Sequence, residues 1–437
     1  MNLSPQSYGT IIRGCLAFAL ILTTPRLSRA DWPAFLGGSE RYEQSVSIPT
    51  KWSPEENVKW TADLPGHGQS SPVVIGNQVY LTAVEGPNKE ENIVACYSLS
   101  SGEQLWAYRF ENSLQVENNV YTSRAAPTPA ADSQGVYAFF ESGDFVALTP
   151  EGTLRWQRDF ASDYGKIEGR FGLGGSVASF EDQLYVLCDN EGPSYLLALN
   201  KSTGKTNWKT ARSSRVAWSS PAVLPVDGKM QVVVSSAGPI DGYDAADGSL
   251  IWSVDGVGGN TVASPIPFGD GRFLVGASPG RNGENSDGAK KSNMAVQVTK
   301  TDTGYDAKVL WRNEDVTSSF GSPIVYRERA YYVNRAGGLF CLNANTGALL
   351  FQKRMSESIW ATPLGCGDHV YFFGQKGDTT VIAASDEFDS VSVNRLYKSQ
   401  GGGGPGGFNA EIQYGVALSS EGLLIRTGEH LFLVGAK

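Results

Sequence analysis

Aromatic residues recur along the chain at positions 60, 106, 156, 208, 252, 311, 351 and 397, spaced 40 to 59 residues apart. A unit of that length has room for four strands of about five residues together with their turns. In five units a glycine stands four residues before the aromatic: Gly102/Trp106, Gly152/Trp156, Gly204/Trp208, Gly248/Trp252 and Gly347/Phe351. Trp311 and Tyr397 are placed in the same slot without the glycine. The residues leading into each glycine read as a tight hairpin turn. Glycine supplies the positive φ, and an Asx or hydroxyl side chain takes backbone donors. The other half of the unit opens with a small residue and proline, at Ser71-Pro72, Ala126-Pro127, Ser220-Pro221, Ser264-Pro265, Ser322-Pro323 and Thr362-Pro363. A strand of the Val-Tyr type follows, as at Val79-Tyr80, Val136-Tyr137 and Val370-Tyr371.

Four short strands per unit at this period mean propeller blades, because helical solenoids would carry a 3.6-residue apolar period instead. Composition agrees: 51 Gly, 10 Trp, 18 Tyr and 19 Phe accompany only 19% charged residues. That balance excludes a coiled coil, a disordered tail, a disulfide miniprotein and a multispan membrane protein. A net charge of −9, from 36 basic and 45 acidic side chains, excludes nucleic acid as a partner, since phosphates demand a basic face.

Counting strands fixes the closure. The last unit begins at Tyr414-Gly415-Val416-Ala417-Leu418, continues through Gly422–Thr427 and Leu431–Val434, and stops after three strands. At the other end, Asn57-Val58-Lys59-Trp60-Thr61 has an outer-strand pattern with no blade before it. The fold class is therefore all-β: an eight-bladed β-propeller of four-stranded antiparallel blades, closed by an N-terminal strand that completes the last blade. Such an exchange removes the free edges an open array exposes. Residues 57–437 form the propeller, and residues 31–56, with Trp32, Phe35 and Trp52, form a strap against the ring.

Residues 1–30 read as a secretory signal: Arg13, an apolar run from Cys15 to Leu22, and Ser28 and Ala30 at −3 and −1 of a cut before Asp31. Eight apolar residues are too few to span a bilayer core of about 30 Å. Cys15 precedes the apolar run, the wrong order for a lipid anchor. A soluble exported protein, periplasmic or extracellular, is expected. Cys96, Cys188, Cys341 and Cys366 remain, without a CxxC or adjacent pair. The first three lie inside apolar strand-like runs, where a thiol behaves as a small hydrophobe.

The segment Ala198–Trp208 (ALNKSTGKTNW) resembles the A-x-D/N-x-x-T-G-x-x-x-W repeat of the pyrroloquinoline quinone (PQQ)-type propeller family. Cys341–Phe351 and Gly242–Trp252 are close variants. The resemblance spans nearly all of the chain after residue 30. It implies the fold, and the family includes both quinoprotein alcohol dehydrogenases and the propeller subunit of the outer-membrane β-barrel assembly machinery. The dehydrogenases place an adjacent Cys-Cys disulfide over the quinone and hold a cation with Glu, Asn and Asp. Here no Cys pair is adjacent, and those ligand positions have no counterpart. No cofactor and no metal are expected, and no catalytic residue is assigned. The first reading is a non-enzymatic envelope scaffold for a protein, peptide or glycan partner; the alternative is a PQQ-dependent quinoprotein-like oxidoreductase.

His67 precedes the first strand a and His430 lies in a b–c turn, on one face of the ring. His369 lies in an a–b turn on the other, so a three-His zinc site is excluded by topology. Gln400–Asn409 is Gly-rich but lacks the Lys-Ser/Thr of a phosphate loop. Arg281–Gly288 is acidic but out of register with an EF-hand loop.

The segments leading into strand a line the mouth of the channel and carry His67, Phe320, Glu411 and Gln413 beside the candidate ligand-binding residues Arg124, Arg170, Arg215, Trp218, Trp360 and Tyr414. Three arginines from consecutive blades of an acidic protein form a local positive funnel for an anionic ligand. The three aromatics offer stacking surfaces for a sugar ring or a peptide side chain. The structural alternative is that the arginines pair with Asp163, Glu168 and Glu411 while the aromatics cap the core.

Overall fold

The computed structural model describes residue 1 and residues 31–38, 46–118, 122–259, 261–280, 283–318, 320–397 and 412–436. The expected signal segment, Gln400–Asn409 and Glu411 lie outside the described residues. Within them, eight four-stranded sheets form, each antiparallel in the order a-b-c-d. Blade 1 comprises Val73–Ile75, Gln78–Glu85, Glu91–Ser98 and Gln104–Glu111. Strands b and c are buried at nearly every position, because each blade is covered by its neighbours on both faces. The d strands stay half-exposed at the rim. The short a strands of successive blades touch one another and line the channel.

The last blade joins both ends of the chain. Gly415–Ser419, Gly422–Arg426 and His430–Val434 are completed by Val58–Asp63, in the register Trp60 to Leu433, Thr61 to Phe432, Ala62 to Leu431 and Asp63 to His430. No helix among the described residues is long and apolar enough to cross a membrane.

Blades dock through the repeat's aromatic. The indole N–H groups of Trp60, Trp106, Trp156 and Trp311 each donate to a carbonyl of the next blade, at 2.8 Å onto Leu99, Pro150, Lys201 and Ala344. The ring then lies flat on the next blade's turn glycine. A Cβ on Gly204, whose φ is +66°, would stand 2.6 Å from the Trp156 ring. The glycine is therefore required twice, for its left-handed backbone and for this close approach.

A second belt circles the channel wall. The backbone N–H of Ser71 donates to the Thr128 hydroxyl at 2.9 Å, and the pattern repeats from Thr128 to Ser176, Ser176 to Ser220, Ser220 to Ser264, Ser264 to Ser322 and Ser322 to Thr362. This corrects the expected start of blade 2. Thr128-Pro129, not Ala126-Pro127, is the equivalent pair, because Thr128 carries the hydroxyl that receives Ser71. In blade 3 the hydroxyl persists without the proline, as Ser176-Val177.

A second correction concerns Tyr397. Blade 7's d strand is Ser390–Arg395, and Ser392 pairs with Val381 where the other blades place their aromatic. Trp52 of the strap fills that slot: its backbone N–H donates to Asn394 Oδ1 at 3.1 Å, and its ring stacks on Tyr371 at 6.2 Å. Tyr80, Tyr137 and Tyr185 meet Trp106, Trp156 and Trp208 in the same way within their own blades.

The start of the strap closes one end of the channel. Trp32 makes two backbone hydrogen bonds with Val74 of blade 1, and the Pro33 carbonyl accepts from Ala131 of blade 2. The single 3-10 turn Phe35–Gly37 contacts strand a of blade 8, while Leu36 is buried among Ile266, Leu274, Ala330 and Tyr332 of blades 5 and 6. Leu36 adopts φ +56°, a left-handed conformation strained for a leucine and held here by its burial. A void of about 40 Å³ remains between Phe35 and the Ser-Pro starts of blades 4 and 5.

Candidate functional site

The plug lies on the face of the a–b turns, as the hydrogen bond from Gly76 N–H to the Asp31 carboxylate shows. The opposite mouth is built from the segments before strand a and from the b–c turns. Backbone bonds stitch these segments from blade to blade: Gln69 N–H to Arg124 O at 3.0 Å, Ser123 N–H to Phe171 O at 2.8 Å, and Trp218 N–H to Thr261 O at 3.1 Å.

The six candidate residues fall into separate groups. Arg124 donates through Nη2 to the Tyr414 hydroxyl at 3.2 Å, joining blade 2 to blade 8. Arg170 is exposed and lies over Phe171 at 5.4 Å, and Phe171 meets Trp218 edge-to-face at 5.9 Å. The Trp218 indole donates to Gly172 O at 3.0 Å. Arg215 turns back to Asp241, 3.9 Å away, and to Ser213. Trp360 packs edge-to-face on Phe320 at 4.9 Å, with Arg335 over the other ring at 5.3 Å. Of the acids expected to neutralise the arginines, Asp163 pairs with Arg158 instead. Among the described residues, neither Arg124 nor Arg170 has a carboxylate partner.

His67 and His430 line one cavity of about 350 Å³ at the seam of blades 8 and 1, together with Asp63, Glu85 and Glu429. His67 Nδ1 is 3.7 Å from Glu429, yet burial and then the charges of Arg124 and Arg426 drive its pKa from 6.5 down to about 3. The imidazole is neutral throughout the physiological range.

Arg426 was not singled out in the sequence, although an arginine closing the apolar strand Gly422–Arg426 is the available signal. It is fully buried. Nη1 donates to Ser70 O at 3.0 Å and to the Ser70 hydroxyl, and Nη2 to Thr82 O at 2.6 Å, so blade 8 is clasped to blade 1. Its Nε has no partner, and no carboxylate pairs with it among the described residues. Burial lowers its pKa to about 9, which still leaves it charged at neutral pH. A second buried group, Arg212 with Asp189 and Asp241, also escaped sequence reasoning, because its acids stand 23 and 29 residues away. Its one cation faces two carboxylates, with Arg215 3.9 Å from Asp241 as a second positive charge, and its place is structural.

The dehydrogenases resembled by the repeat cover their quinone with a disulfide between adjacent cysteines. The four described cysteines are free and buried apart, with Cys96, Cys188 and Cys341 pushed up to about 12 by burial. Among the described residues, no three His, Cys, Asp or Glu side chains converge on a point where a cation would sit. The described cysteines offer no adjacent pair to lie over a quinone.

Fold, repeat and docking geometry together define a PQQ-like β-propeller. A family model described as outer membrane protein assembly factor BamB matches residues 51–172, 162–282 and 296–408, most of the chain, and the protein belongs to that family. No curated protein sequence matches it. Among solved structures, BamB from Moraxella catarrhalis is similar over 86% of this chain and 99% of its own, with 14% identity and a TM-score of 0.59. The computationally designed protein Ika8 is similar over 85% and 98%, with 11% identity and a TM-score of 0.53. Quinohemoprotein alcohol dehydrogenase from Comamonas testosteroni also matches, over 94% and 82%, with 13% identity and a TM-score of 0.44. At these identities the likeness is one of fold.

Proposed function

We propose that this chain is an exported, non-enzymatic scaffold of the cell envelope, whose mouth holds an acidic, aromatic-bearing segment of a protein partner. The charge of the mouth carries this reading. On a chain of net charge −9, Arg124 and Arg170 stand on adjacent blades without a carboxylate partner among the described residues, beside the rings of Phe171, Trp218 and Tyr414. Local positive charge on an acidic surface steers an anionic partner to one face and repels it elsewhere. The closed opposite end leaves that face as the approach to the channel. Membership of a family described as an assembly factor supports a protein partner.

The test is fluorescence anisotropy with a labelled peptide alternating Glu and Trp, against the same peptide with Gln for Glu. The acidic peptide is expected to bind more tightly. Replacing Arg124, Arg170 and Arg215 together by Gln is expected to weaken it roughly tenfold, since exposed ion pairs contribute about 0.2–1 kcal/mol each. Equal affinity in wild type and triple variant contradicts the proposal. Retention of PQQ with Ca²⁺ through gel filtration favours an oxidoreductase instead.

A further inference from the structure

The mouth arginines are not equivalent, and the difference locates a specific subsite. Arg215 is held by Ser213 and stands 3.9 Å from Asp241, a carboxylate already bonded to Arg212. Arg170 is exposed, with Phe171 as its described contact. Arg124 is fixed from two sides: its backbone exchanges hydrogen bonds with Gln69, through Gln69 N–H to Arg124 O and Arg124 N–H to Gln69 Oε1, and its Nη2 rests on Tyr414. Its Nε is shielded from solvent and has no hydrogen-bond partner among the described residues. A guanidinium already held in place loses little conformational freedom when an anion binds.

Behind it lies Arg426, buried, charged and, among the described residues, also without a partner for Nε. Tyr414 connects the two, because its own N–H donates to Arg426 O at 2.9 Å while its hydroxyl receives Arg124. His67 stands edge-on to the Tyr414 ring at 6.0 Å, and its Nε2 is buried with no hydrogen-bond partner among the described residues. The surrounding charges come from four elements: Arg426, Glu429 and His430 from blade 8, Asp63 from its closing strand, Glu85 from blade 1, and Arg124 from blade 2. Asp63, Glu85 and Glu429 line the seam cavity itself, Asp63 at 94% and Glu429 at 70% side-chain exposure and so well solvated. At His67 burial is the main cause of the lowered pKa, and the charges of Arg124 and Arg426 add to it.

We propose that the seam of blades 8, 1 and 2 carries a carboxylate-binding notch, with Arg124 and Tyr414 making the contacts and Arg426 supplying fixed positive charge from behind. The ligand class is a carboxylate presented by a peptide, either an Asp or Glu side chain or a chain terminus. The notch rests on the mouth being the binding face and names the place on it where the anion is read. Charge-assisted hydrogen bonds to a pre-set arginine are the strong ones, so Arg124 dominates over Arg170 and Arg215.

The probe is N-acetyl-tetraglutamate amide, with the tetraglutamine peptide as control, titrated at pH 7 into the full chain without its first thirty residues. Nitrogen-15 NMR follows the arginine side-chain Nε–H signals, and that of Arg124 is assigned by its loss in Arg124→Gln. Tetraglutamate is expected to shift the Arg124 Nε–H signal downfield. Arg124→Gln is expected to weaken binding about tenfold and Tyr414→Phe severalfold, while Arg170→Gln has a smaller effect. Binding that survives Arg124→Gln and Tyr414→Phe but is lost in Arg170→Gln overturns the notch and leaves the mouth reading standing. Equal binding of both peptides, or of neither, overturns both.

Discussion

Trp208→Ala is expected to destabilise the ring by roughly 3–5 kcal/mol, as large-to-small replacement of a buried aromatic does. Only 9% of Trp208 is exposed. Its indole N–H donates to Ala245 O at 3.2 Å, its ring meets Tyr185 at 6.0 Å, and it rests on Gly248, where an added Cβ would stand 2.3 Å away. The truncation removes all three contacts at one blade junction. The gap cannot collapse, because the neighbouring blade is fixed from its other side. Leu250→Ala on the adjoining d strand is the control: that side chain is 56% exposed and has little burial to lose. Urea midpoints of the two variants measure the difference, and comparable midpoints contradict the docking role of the repeat's aromatic.

Trp32→Ala is expected to cost a similar amount, roughly 3–5 kcal/mol, for a different reason. Trp32 is 2% exposed and belongs to no blade. Its ring packs on Gly37, where a Cβ would approach to 3.1 Å, and its backbone pairs with Val74. The plug thus folds upon itself while capping strands of blades 1 and 2. Removing residues 31–38 altogether leaves the closing strand Val58–Asp63 intact, so the ring is expected to form with an open channel, a lower thermal midpoint and new binding of a hydrophobic dye. An unchanged midpoint with no dye binding contradicts the plug.

The parts of this fold that are legible in the sequence are those written locally. Turn glycines and aromatics four residues apart reveal the d strands, and the three-stranded last unit beside an orphan Asn57–Thr61 strand reveals how the ring closes. Features supplied from far along the chain stay hidden. The aromatic that blade 7 lacks comes from Trp52, some 340 residues upstream of its contact at Asn394, so Tyr397 looks like the nearest substitute when Ser392 holds the slot. Blade 2 carries two proline pairs, and only the neighbour's N–H distinguishes Thr128 from Ala126. That the strap enters the channel follows from no periodicity, since Trp32, Pro33 and Leu36 each meet a different part of the ring. For the site, the topology placed the mouth residues on one face. Which arginines are neutralised depended on partners such as Asp241 for Arg215, and Arg426 is concealed because a strand burying an arginine at its end reads as one that stops at the surface.

Closure of the ring by its own first strand underlies the blind channel and the seam notch alike. The most direct measurement is a cross-link at the last register pair, with Asp63→Cys and His430→Cys introduced together. The disulfide closes spontaneously under mild oxidation, is found by mass spectrometry of the unreduced digest, and raises the thermal midpoint by closing a loop of most of the chain. Two thiols that remain free in the folded, oxidised protein place Val58–Asp63 elsewhere and contradict the account.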